Sequence, residues 1–138
     1  MELAYSSGHT INLRDLEFEN KVWKNTLDYL VNESDIYLHH LDTFHFELKE
    51  SISEPLILES IKELYEFKSA AISLKKKVMI QEEEIPLYIK DFPIDSHHVL
   101  FIEHQAIEIE VSEFYHDFKQ CMVALRNQYS TMIRTKEV

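Results

Sequence analysis

Eight histidines stand among 25 acidic residues in a chain of 138, a supply that raises metal chelation first. Imidazole nitrogens and carboxylate oxygens are what a helix offers a divalent transition metal, and ligands three or four residues apart share one helix face. A di-metal site inside a helical bundle uses Glu-x-x-His on two helices and a carboxylate from each of two others. Asp42-x-x-His45 and Glu113-x-x-His116 approach that spacing, and His104-x-x-x-Glu108 spans one helical turn. The metal-ligand candidates are therefore His104, Glu108, Glu113 and His116, and a metal-binding carboxylate/histidine bundle is the competing functional reading.

Register counts against it. In the heptads assigned below, Asp42 falls at b, Glu113 at c and His116 at f, outside an inner seam. His45 lies about 33 residues into the first helix and His116 about 20 into the third, so parallel helices hold them ~20 Å apart. No resident metal or cofactor is expected. His104 occupies an a position with His97 one heptad earlier, which suits a histidine hydrogen-bonded within the core. His39 and His40 fall at f and g, on a solvated face.

Other chemistries lack their residues. Cys121 is the lone cysteine, so no intramolecular disulfide can form and a reducing compartment is expected. Its neighbours Phe118, Met122 and Leu125 make it a small core hydrophobe rather than a nucleophile. No serine sits in a glycine-flanked elbow, and no Cys-x-x-Cys-His is present. Glu82-Glu83-Glu84 and Glu108/Glu110 read as solvated faces, since acid–base catalysis needs carboxylates in a cleft. No catalytic residue is assigned.

Fourteen Lys plus Arg against 25 Asp plus Glu give a net charge of -11. Phosphate backbones and anionic membranes are bound through clustered basic residues, so neither is an expected partner. Lys75-Lys76-Lys77 spread around a helix and form no patch. The start, Met1-Glu2-Leu3-Ala4-Tyr5, lacks a signal peptide's basic and apolar regions, and no apolar run approaches the ~20 residues of a membrane span. A cytoplasmic location is expected.

The elements that must position these groups are helices. One Gly and three Pro cannot supply the turns of a sandwich or barrel, while 45% hydrophobic residues can build a sizeable core. A first helix over about 12–53 carries Leu13, Asn20, Leu27, Ser34, Leu41 and Leu48 at a. Leu16, Trp23, Leu30, Tyr37 and Phe44 take d, with Val31, Leu38 and Ile52 at e. Asn12 and Asp15 mark its start, and polar Asn20 and Ser34 either pin register or meet solvent at a loose layer. Ser53-Glu54-Pro55 stops and restarts the chain, with Ser53 or Glu54 as cap. The second helix, about 55–85, holds Ile57, Leu64, Ala71, Val78 and Ile85 in one row and Leu58, Tyr65, Ile72 and Met79 in another. Pro86 ends or kinks it. The third, about 96–134, is capped by Asp95 or Ser96. Its inner rows are His104, Val111, Phe118, Leu125 and Met132, with Leu100, Ile107, Phe114, Cys121 and Gln128, widened by Phe101, Tyr115, Met122 and Tyr129. The expected fold is all-α, an up-down-up bundle of three long antiparallel helices in a single domain over 12–138, after a poorly ordered 1–11.

More apolar surface remains than one seam uses. Phe18, Val22, Tyr29, Ile36 and Phe46 on the first helix, and Val99, Ile102, Ala106, Ile109 and Val123 on the third, lie away from a and d. Either long helices drift and these residues widen the core, or they form an interface. The second reading implies a homodimer sharing a six-helix core, which Ile109→Glu would weaken. The functional expectation is a non-enzymatic protein–protein interaction or scaffold module that self-associates. A third reading takes the aromatics Trp23, Tyr37, Phe44, Phe67, Phe114 and Phe118 as the lining of an apolar ligand groove.

Overall fold

The computed structural model describes residues 10–51 and 53–137, the side chains of Tyr129 and of residues 132–137 excepted. Residues 1–9, Ile52, and the expected inward side chains of Tyr129 and Met132 lie outside the described residues. Three long helices account for most of the described residues: α1 (Leu13–Glu47), α2 (Glu54–Glu84) and α3 (Val99–Glu137). A 3-10 helix, Ile85–Asp91, follows α2, because Pro86 has no N–H to continue the α ladder. Thr10–Ile11 (β1) pairs antiparallel with Ile94–Asp95 (β2), joining the start of the chain to the turn before α3. Pairing at Thr10 and Ile11 replaces the disorder expected up to residue 11, and Ile11 is fully buried.

Local chemistry sets the ends. Asn12 caps α1, its Oδ1 accepting from the Arg14 N–H at 2.8 Å. α1 stops six residues short of the expected 53, and Glu50 turns the chain with φ 66. Replacing Glu50 by Gly is expected to stabilise the fold by about 1 kcal/mol, read from urea midpoints, because only Gly occupies that region without a Cβ clash. Ser53 precedes α2 without a side-chain cap, while Glu54 instead accepts from His45 Nε2 at 3.1 Å. The α3 cap differs from the expected Asp95 or Ser96. His98 Nδ1 accepts from the Leu100 N–H at 3.1 Å, and Asp95 Oδ1 takes the His97 N–H.

The up-down-up order is visible in the cross-helix pairs. Lys68–Asp35, Lys75–Asp28 and Lys24–Glu82 run antiparallel between α2 and α1 at 2.7, 2.6 and 2.8 Å. Lys77–Glu110 and Ser60–Gln128 do the same between α2 and α3. The lysine run is thus divided between two neighbours. Exposed pairs of this kind contribute roughly 0–1 kcal/mol each, so they set register more than stability.

Apolar burial holds the bundle together. Leu30, Leu41, Phe44, Ile57, Leu64, Phe118 and Leu125 pack one end. Trp23, Leu27, Ala71, Leu74, Val78, Ile107 and Val111 fill the middle. Ile11, Leu13, Leu16, Ile85, Ile94, Leu100 and Phe101 close the end that carries the strands. The second row of α2, Leu58, Tyr65, Ile72 and Met79, is exposed, because α2 packs by one narrow stripe.

Candidate functional site

Between the middle and strand-end layers the core turns polar. Glu19 and Asn20 of α1, Gln81 of α2 and His104 of α3 are all buried there, at 5%, 0%, 2% and 0% exposure. Their places follow from helix register: Glu19 falls one turn before Trp23, Gln81 three residues after Val78, and His104 three before Ile107. The ring of His104 lies against Trp23, centroids 4.5 Å apart and planes tilted by 30°.

The hydrogen bonds define an orientation. Gln81 Nε2 donates to the Leu100 carbonyl at 3.3 Å, which turns Gln81 Oε1 toward His104. His104 Nδ1 lies 2.5 Å from that oxygen, and since an amide oxygen only accepts, Nδ1 carries the hydrogen. His104 Nε2 faces Glu19 Oε1 at 3.5 Å. Among the described residues, Nε2, both Glu19 oxygens and both polar atoms of the Asn20 amide find no hydrogen-bond partner.

Burial shapes the titration of both groups. It pushes the Glu19 carboxyl up to about 7, helped by the negative charges of Glu108 and Asp15. It pushes His104 down to about 4. The arrangement can hold and exchange a proton. It contains no nucleophile, and Cys121 offers none: burial, then its hydrogen bond to Glu63 and that carboxylate's charge, push its thiol up to about 12.

The four metal-ligand candidates do not converge. His104 is fully buried and Glu108 half-buried, whereas Glu113 and His116 are exposed. On one helix the twelve residues from His104 to His116 also span ~18 Å. Among the described residues no three His, Cys, Asp or Glu side chains are grouped to hold a metal ion. His97, His39 and His40 are exposed. His98 is structural: besides capping α3 it faces Asp91 at 3.5 Å and packs edge-on against Tyr88.

Glu19 and Gln81 escaped the sequence reading. Glu19 falls at g, where a carboxylate ordinarily reaches solvent, and Gln81 continues a stripe through Phe67 and Leu74. The adjacent polar pair Glu19-Asn20 inside an apolar stripe was the available signal. Asn20 does fall on the seam as its a position implies, and Ser34 satisfies itself by donating to the Leu30 carbonyl at 2.9 Å.

A second feature lies on the surface. The α1 and α3 backbones stay apart, unlike those of α1 and α2. Their seam opens into three successive clefts of about 190, 470 and 510 Å³. Val22, Trp23, Thr26, Val111, Ser112 and Tyr115 line the first, which begins above the Trp23–His104 stack. Tyr29, Tyr115, Met122, Val123 and Arg126 line the second, and Ile36, Tyr37 and His40 the third. Of the expected interface residues, Val22, Tyr29, Ile36 and Val123 face this groove. Ala106 lines a separate cleft of about 250 Å³ between α2 and α3. Phe18, Val99, Ile102 and Ile109 are 50–63% exposed and Phe46 is 84% exposed, so heptad drift does not draw them into the core.

No helix among the described residues is long and apolar enough to cross a membrane. Compared with family models, curated proteins and solved structures, the chain matches none, so its functional reading rests on the buried polar layer and the α1–α3 groove.

Proposed function

We propose that this chain is a non-enzymatic interaction module that self-associates, a second copy covering the α1–α3 groove. The observation that supports this is the groove itself: a seam left open between two helices, with Val22, Tyr29, Ile36, Tyr115 and Val123 along it. Within this open seam their apolar surface is left for another helix to bury. Two of the polar pairs along the groove are already formed. Arg126 Nε donates to the Tyr37 hydroxyl at 3.2 Å, and Tyr29 is hydrogen-bonded to Glu33, so these two pairs keep their hydrogen bonds when the groove is covered. A two-fold dimer of parallel α1–α3 faces gives the six-helix core anticipated from the stripe.

Light scattering coupled to size exclusion, at two concentrations, tests the assignment. A dimer mass is expected, and Tyr29→Glu, at a position 60% exposed, should weaken association at least about tenfold while leaving the urea midpoint of the monomer unchanged. Ile109→Glu, on the outer face of α3, reports how far the interface extends beyond the groove. Two copies carry -11 each, so association should strengthen with salt as repulsion is screened; a basic heterologous partner would show the opposite dependence. A monomer at all concentrations, or a Tyr29→Glu variant with undiminished dimer mass, would remove this reading.

A further inference from the structure

We propose that Glu19 and His104 hold one exchangeable proton between them in the core, forming a latch that fastens α1 to α3 and loosens when the proton leaves. Gln81 is locked by the Leu100 carbonyl, so its oxygen requires the hydrogen on His104 Nδ1. A neutral imidazole then has a bare lone pair at Nε2, and that lone pair faces a carboxylate oxygen at 3.5 Å. Two acceptors confront each other in a buried layer, with no other partner among the described residues. A single proton resolves the conflict, carried by Glu19 as a carboxylic acid donating to Nε2 or by Nε2 as an imidazolium. In both forms the pair is electrically neutral, the condition burial favours.

The surrounding charges act on the same proton. On α1, Asp15 adds negative charge and Lys24 is engaged by Glu82 of α2 at 2.8 Å. On α2 the facing group, Gln81, is neutral. On α3, Glu108 adds a second negative charge. Loss of the proton leaves a bare carboxylate at 5% exposure across the seam where the helix backbones approach least. The latch operates within one chain, so it stands or falls independently of self-association.

The sign of the pH dependence follows. The Glu19 carboxyl lies at about 7 in the fold against 4.5 when exposed, so the folded chain binds the extra proton between those values. Stability falls as pH rises through that window and is lowest, for this group, above 7. His104, displaced from 6.5 to about 4, acts oppositely below 6.5, where the two slopes offset each other.

Urea unfolding of wild type and Glu19→Gln from pH 4.5 to 8.5 tests the latch. The side-chain amide of the variant donates to Nε2 at every pH. The variant's folded-to-unfolded ratio relative to wild type should therefore climb by on the order of a hundredfold between pH 4.5 and 8. Carboxyl-carbon NMR of wild type is the companion measurement, decisive even if the variant fails to fold, and should place the Glu19 midpoint near 7. A pH-independent ratio or a midpoint below 5 would overturn the proposal. So would one equivalent of zinc or manganese retained through dialysis whose removal shifts the His104 ring resonances, since the pair would then be metal ligands.

Discussion

Replacing Trp23 by alanine is expected to lower the stability of the fold by ~3–5 kcal/mol, the range for deleting a buried large aromatic. Trp23 is 4% exposed and packs with Leu27, Ala71, Leu74, Val78, Ile107 and Val111 across all three helices. Against a total of ~5–15 kcal/mol for a domain of this size, that loss brings the chain close to its unfolding threshold. Urea unfolding followed by circular dichroism reads the change, since Trp23 is the single tryptophan and its removal takes the fluorescence signal with it. Trp23→Phe keeps a ring over His104 and should lose less than half as much. A second consequence separates packing from the polar layer. Burial alone holds the His104 ring below its ordinary range, so the space opened by Trp23→Ala should move its titration back up. A stability loss under 1 kcal/mol would mean that the middle layer is not the centre of the core.

Gln81→Leu is expected to lower stability by about 3 kcal/mol although it adds apolar surface at a buried position, because His104 Nδ1–H is left unpaired in the core. Gln81→Glu gives the contrasting result. Its carboxylate still accepts from Nδ1 while adding a negative charge beside the ring, so the His104 titration should rise rather than stay depressed. Nitrogen NMR of the ring follows both variants. If Gln81→Leu proved as stable as wild type, the polar layer would contribute orientation without energy. The exposed residue Glu83, two positions away, supplies the control, since its substitution should change stability by less than about 0.5 kcal/mol.

The inner rows were legible because their information is local. Leu13, Leu16, Leu27, Leu30 and Leu41 on α1, and Ile57, Leu64, Ala71, Val78 and Ile85 on the α2 side, repeat at the helical period, and all are buried. Helix existence and order followed from those repeats, with Pro55 and Pro86 marking the breaks. The ends were less legible, because a turn such as that at Glu50 or a cap such as His98 depends on a few backbone angles and one hydrogen bond. The row Leu58, Tyr65, Ile72 and Met79 shows the limit of periodicity: two adjacent apolar rows look equally core-like until the neighbouring helix takes one and leaves the other to solvent.

His104 was placed on the inner seam by its spacing, and its partners were not. Glu108 and Glu113 were paired with it through sequence proximity, whereas the groups that meet its two nitrogens come from Gln81, 23 residues away, and Glu19, on another helix. The sequence by itself determined three amphipathic helices, their order, their acidic surface and the apolar rows that pack them. Only the tertiary structure decided that α1 closes on α2 but stays open toward α3, and that Glu19, Gln81 and His104 share one layer. The physical reason is that periodicity records which face of a helix is apolar, while axial offset and helix spacing arise from interdigitating side chains on different helices.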